Sequence, residues 1–174
     1  GEPLPTMLSK TDDAFIVNSF SKYFGMTGWR LGWLIVPDQA VDPLIRIAQN
    51  LFICPSVVAQ AAAVAAFREE AIEEADRRSL DLAQKRRLMS EGLEAIGFTI
   101  PANPDGAFYL FAEVPAGAPE AETFCQQALQ QVGVAMTPGI DFGDNGTERF
   151  VRISCAQPTS ALLDALQRLR GLAA

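Results

Sequence analysis

The sequence predicts a mixed fold, α/β in its first part and α+β in its second. Three observations carry this. Two apolar runs of strand length, residues 14–18 (AFIVN) and 31–36 (LGWLIV), precede segments of helical periodicity. After Gly97 the texture changes to short strands alternating with two helices. The chain has 174 residues, 49% of them hydrophobic, enough for one packed domain with an appendage.

Taken in order, residues 1–10 hold two prolines and read as a loop. The first apolar run reads as a buried strand, and the second is stopped by Pro37. Asp38 is placed to cap a helix running to about Phe52. Pro55 breaks the chain, and Ser56 is placed to cap an Ala-rich helix packed tightly inside the protein. Residues 69–96 give the longest helical pattern. Ile72, Ala75, Leu82, Met89, Leu93 and Ile96 fall near one face, and Gly97 follows as a C-terminal cap. Residues 98–100 and 108–114 read as strands separated by a turn rich in Pro, Asn, Asp and Gly. A helix over 123–132 ends at Gly133, and strands follow at 134–137 and 149–154. A last amphipathic helix over 159–172 turns Leu162, Leu166 and Leu169 inward. Two strands are too few for an independent sheet, so residues 1 to about 60 read as the trailing edge of a larger one.

Composition narrows the function. The net charge is −7, and the one basic cluster, Lys85-Arg86-Arg87, follows an acidic run and reads as a solvated helix face. That argues against nucleic acid and membrane surfaces as partners. No histidine is present, which removes a His general base and every His-containing metal site. Cys54, Cys125 and Cys155 are odd in number and widely spaced, so they read as core thiols of a reducing, cytoplasmic protein, with no metal site. No signal peptide is recognisable, and the uncharged stretch 51–67 is too short and too interrupted to span a bilayer comfortably. The chain starts at Gly1 and its first Met is Met7, which reads as a processed or truncated chain.

The segment that carries chemistry is residues 18–33, NSFSKYFGMTGWRLGW. Between positions 11 and 45 its Lys22 and Arg30 are the only cations. Lys22 follows a strand end amid Phe20, Tyr23 and Phe24. Partial desolvation there would lower its pKa and free the amine to attack a carbonyl. Ser19, Ser21 and Arg30 suit an anion such as phosphate, and Gly25 and Gly28 allow sharp turns. By spacing alone, a lysine snorkelling to water beside an ion-paired arginine accounts for the same residues.

The motif itself says more. Ser19-Phe-Ser-Lys22 followed by Gly25-Met-Thr-Gly-Trp-Arg30-Leu-Gly resembles the lysine signature of the fold type I pyridoxal-phosphate aminotransferases, the aspartate aminotransferase family (class I/II). The resemblance implies that Lys22 is catalytic and holds pyridoxal 5'-phosphate as a Schiff base. It assigns the cofactor phosphate to Ser19 and Arg30. Residues 105–109 (DGAFY) resemble the family's lead-in to a strand lining the substrate pocket. Residues 138–143 (PGIDFG) and 150–156 (FVRISCA) resemble its C-terminal signature, in which Arg152 would grip the substrate α-carboxylate. Charge spacing agrees: no Lys or Arg occurs from Leu88 to Glu148, and Arg149 and Arg152 then fall on opposite sides of a β-like run.

The resemblance further implies an architecture. Residues 1–68 would be the C-terminal part of a large cofactor-binding domain, 69–96 a connecting helix and 97–174 a small α+β domain. The family's substrates are an amino acid and a 2-oxo acid, and its working form is a homodimer. Its upstream Asp, Tyr and Asn ligands of the cofactor have no counterpart in this sequence, and neither Asp12 nor Asp13 matches the Asp. The expectation is therefore a C-terminal aminotransferase portion that is inactive alone. Two alternatives stay open: another reaction on the same scaffold, such as a β-lyase or synthase, and an aminotransferase-like effector domain of a transcription regulator.

Overall fold

The computed structural model describes residues 5–102 and 104–172. Gly1 and the start of the predicted N-terminal loop lie outside the described residues, as does Asn103 of the predicted turn. The chain forms two compact units, residues 1–77 and 78–174.

In the first unit, β1 (Ile16–Ser19) pairs antiparallel with β2 (Gly32–Ile35), Ser19 lying opposite Gly32 and Ile16 opposite Ile35. These are the two apolar runs predicted as strands. Helix α1 (Asp38–Leu51) follows. Asp38 does not cap it. Pro37 holds the cap position and Asp38 is the first helical residue, where its carboxylate meets the positive end of the helix dipole. Ser56 does cap α2 (Val57–Ala66), its Oγ accepting from the Ala59 N–H at 3.4 Å. A small core holds Phe20, Met26 and Ala63, with Phe24, Leu31, Ala62 and Ala66 against it. Phe20 is its hub, its ring 4.9 Å from both Phe24 and Trp33. The expectation of a tightly packed Ala-rich helix holds for one face of α2 only. Ala59 and Ala63 are buried, whereas Val57, Val58 and Val64 are exposed. Strand β2 is exposed along its whole length, so within this unit the two-stranded sheet lacks the cover that such sheets need.

Helix α3 (Glu69–Glu94) carries the chain into the second unit. It ends as predicted: Gly97 turns with φ +95°, and the N–H groups of Gly97 and Phe98 reach Glu94 O and Leu93 O. Then come β3 (Tyr109–Glu113), α4 (Ala121–Val132), the two-residue β4 (Thr137–Pro138), β5 (Phe150–Ser154) and α5 (Thr159–Arg170). The sheet is antiparallel in the order β3-β5-β4. Its inner face, Leu110, Ala112, Val151 and Ile153, packs in one core with Met89, Leu93, Phe124, Ala128, Leu162, Leu166 and Leu169. The inward leucines of the last helix are therefore the predicted ones.

Two predicted strands shrink. Residues 98–100 contribute a single bridge, Thr99 to Glu113. The run at 134–137 joins the sheet only at Thr137, because the Val134 N–H is taken by Ala128 O in closing α4. The basic cluster also departs from its expectation. Only Arg87 is exposed, paired to Glu91 at 3.0 Å. The Lys85 side chain is 18% exposed and bonds Asp81 at 2.6 Å, and Arg86 reaches back to the Ala107 carbonyl. Among the described residues no helix is long and apolar enough to cross a membrane.

The cysteines divide. Cys125 and Cys155 are buried, as predicted, but Cys54 is exposed. Burial, with the Asp141 carboxylate adding to it, pushes the Cys125 thiol up to about 11. Burial also raises Cys155, against a smaller opposing pull from Arg86. A thiol-alkylating reagent acts on thiolate. At pH 8 it should therefore mark Cys54 within minutes and reach Cys125 and Cys155 only in denaturant. Mass mapping of the peptides checks this, and early marking of Cys125 would contradict the buried placement.

Candidate active site

In the first unit the residues between β1 and β2 form a self-bonded loop. The Phe20 N–H donates to Leu31 O at 3.1 Å, extending the hairpin by one rung. Met26 N–H donates to Phe20 O, Gly25 N–H to Lys22 O, and the Thr27 hydroxyl to Ser21 O at 2.7 Å. Phe20 and Met26 are buried and anchor the two arms of the loop. Lys22 lies between these anchors and is exposed. The expected desolvation of Lys22 is thus not supplied by this unit, because Phe20 and Phe24 turn to the core while Lys22 and Tyr23 lie exposed.

Ser19 and Arg30 flank the lysine at the same end of the hairpin. Ser19 Oγ accepts from the Ser21 N–H at 3.0 Å. Arg30 takes the left-handed turn itself, with φ +52°, and its guanidinium donates to Thr27 O at 2.8 Å. Gly25 has φ +68°, as a sharp turn requires. Gly28 does not carry the constraint expected of it: its φ is not positive, and a Cβ there would meet nothing within 4 Å. The glycine that sterics demand is Gly32, where a Cβ would lie 2.4 Å from Asn18 O across the hairpin. The structure therefore brings Ser19, Lys22 and Arg30 onto one anchored loop.

Arg152 belongs to the other unit, on β5. It lies opposite Phe111 of β3 and Thr137 of β4. Its guanidinium carbon is 4.4 Å from the Tyr109 ring centre and 4.5 Å from that of Phe142. Two such contacts orient the group without neutralising it. Among the described residues no carboxylate pairs with Arg152. Arg149 is the reverse case. It donates to Glu113 Oε1 at 3.0 Å and to the carbonyls of Val114, Pro115 and Ala118, which ties down the corner after β3. Both arginines are half-buried, and neither simply faces water. Of the predicted pocket-wall residues, Tyr109 touches Arg152, and the Phe108 ring lies 4.1 Å from that of Tyr109.

Sequence reading missed two contributors. Phe142 lay inside the quoted PGIDFG motif without a role, and Gly139 of that motif proves steric: a Cβ would sit 2.5 Å from Thr147 O. Arg86 was assigned to solvent.

Comparison with known proteins gives the family. The family pattern of aminotransferase class I and II matches residues 3–169. The chain belongs to that family. Among curated aminotransferases it is 47% identical to the valine–pyruvate aminotransferase of Mycobacterium tuberculosis, over 90% of this chain and 40% of that protein. It is 32% identical to the (5-formylfuran-3-yl)methyl phosphate transaminase of Methanocaldococcus jannaschii, over 91% of this chain and 42% of the relative. A crystal structure of an aminotransferase from Mycobacterium tuberculosis superimposes with a TM-score of 0.93 at 42% identity, covering 98% of this chain and 44% of the other. This aminotransferase chain spans about 40% of the length of the curated relatives it matches.

Proposed function

We propose that this chain is the C-terminal portion of a pyridoxal 5'-phosphate-dependent aminotransferase that moves an amino group from an α-amino acid to a 2-oxo acid. Family membership supports the class of reaction. The single observation that carries the site is the loop that gathers Ser19, Lys22 and Arg30 on one end of a hairpin. A primary amine, a hydroxyl and a guanidinium form a donor set that fits an aldehyde bearing a phosphate. Lys22 would hold the cofactor covalently, and Ser19 and Arg30 its phosphate. When bound, the cofactor supplies an electron sink for charge developing at the substrate Cα. Lys22 Nζ, freed when the substrate amine takes its place on the cofactor, would then carry the proton on and off that carbon, a task that needs no histidine. Arg152, clasped by Tyr109 and Phe142, takes the substrate carboxylate.

Residues 1–68 are read as the end of the cofactor-binding domain, 69–96 as the connecting helix and 97–174 as the small domain. The working form is read as a homodimer in the cytoplasm. The uncovered apolar side chains of the first unit suit burial by more polypeptide than this chain contains. Three unpaired thiols suit a reducing compartment.

The test is covalent trapping. Borohydride reduction of the cofactor-loaded complete polypeptide should add the cofactor mass to the peptide that contains Lys22. Modification of a different lysine, or brisk transamination of pyruvate with L-valine by the 174-residue chain alone, would overturn the reading.

A further inference from the structure

Arg86 has no place in the chemistry described so far, yet the second unit uses it in a specific way. Its Nη1 donates to Ala107 O at 2.7 Å, across 21 residues of sequence. Ala107 is not glycine, but its φ is +61°, in the left-handed region that residues with a Cβ seldom adopt. Such a conformation persists where its surroundings hold it. Strand β3 begins only at Tyr109, and the preceding carbonyl, Phe108 O, accepts from the Cys155 N–H at 2.7 Å. Two successive carbonyls are thus tied from two directions, one by the backbone next to β5 and one by a charged side chain from α3. The residue they deliver is Tyr109, whose ring lies against Arg152. No carboxylate pairs with Arg86 among the described residues, so its charge is directed at this carbonyl, and charge-assisted bonds of this kind are the stronger ones.

We propose that Arg86 is a positioning residue: by holding the Ala107 carbonyl it fixes the lead-in to β3 and thereby the Tyr109 ring that orients the Arg152 guanidinium for a carboxylate. The inference rests on the reading that Arg152 binds the substrate carboxylate, and the test separates the two.

The probe is 3-methylbutyrate, valine without its amine, titrated by calorimetry into the complete polypeptide carrying cofactor, alongside KM and kcat for L-valine. Arg86→Met should weaken 3-methylbutyrate about tenfold and raise KM for L-valine similarly, with kcat changed less than about threefold. Arg86→Lys, which keeps a cationic donor, should fall between, and it carries the test if Arg86→Met does not fold. Tyr109→Ala should weaken binding too, and adding Arg86→Met to it should cost little more, since both act through one ring. Unchanged binding in Arg86→Met while Arg152→Lys loosens the probe overturns the role of Arg86 alone. So do effects of Arg86→Met and Tyr109→Ala that multiply in full. Unchanged binding in Arg152→Lys, or no binding by the unchanged protein, overturns the Arg152 reading and this proposal with it.

Discussion

Replacing Lys22 by alanine in the complete polypeptide is expected to lower turnover at least about 10³-fold, because in the proposed reaction one side chain both anchors the cofactor and carries the proton. The long-wavelength absorbance of lysine-bound cofactor should disappear with it. Lys22→Arg should do no better: a guanidinium keeps the charge but neither forms the covalent bond nor gives up a proton near neutral pH. Folding should be nearly untouched, since Phe20 and Met26, not the exposed Lys22, hold the loop to its core. The measurements are a steady-state assay with L-valine and pyruvate, an absorbance spectrum and a thermal melt. Turnover within tenfold of the unchanged protein, with an intact spectrum, would remove Lys22 from the mechanism.

The second large effect belongs to Arg152. Arg152→Lys should raise KM for both amino donor and 2-oxo acid about 100-fold, as expected for replacing a planar, ring-clasped fork by a point charge. The melting temperature should hold steady, because the Arg152 side chain makes no hydrogen bond to another element among the described residues, and its backbone pairing is unchanged by the substitution. Arg149→Lys supplies the contrast. Its guanidinium serves one carboxylate and three carbonyls around the corner after β3. Its loss should therefore lower the melting temperature and leave KM near its original value. If the two variants exchange these behaviours, the assignment of the arginines is reversed.

The helices were legible because burial follows a 3.6-residue rhythm, and α2 through α5 each open or close on residues the pattern names, such as Ser56, Gly97 and Gly133. Strand β4 was not. Val134 and Met136 have strand character, but the backbone of Val134 belongs to the end of α4 and Pro138 lacks a donor. Lys22, Ser19 and Arg30 could be found because they sit within one short stretch whose residues stay together in space. Arg86 could not, since nothing local says that its helix face turns toward a carbonyl 21 residues downstream. Phe142 was hidden for a similar reason: its partner, Arg152, is brought to it by the pairing of β5 with β4, a long-range fact. Burial was the least legible quantity. Cys54 and the valines of α2 carry core chemistry yet lie on an exposed surface, which no local pattern foretells.

The strand order β3-β5-β4 also governs when the small sheet can exist. The central strand is the last to be synthesised. Among the described residues, Phe111 finds its cross-strand neighbour at Arg152, and β4 pairs with β5 alone. While a ribosome is still adding residues up to Phe150, neither β3 nor β4 can close a rung with the other. Leu110 and Ala112 must wait without a facing strand. Completion of this sheet is thus a late event that inserts Arg152 and closes the core together. A nascent chain stalled just before Phe150 could hold its helices and the β1–β2 pair but not the β3-β5-β4 sheet, and it would leave open the apolar face that Val151 and Ile153 complete.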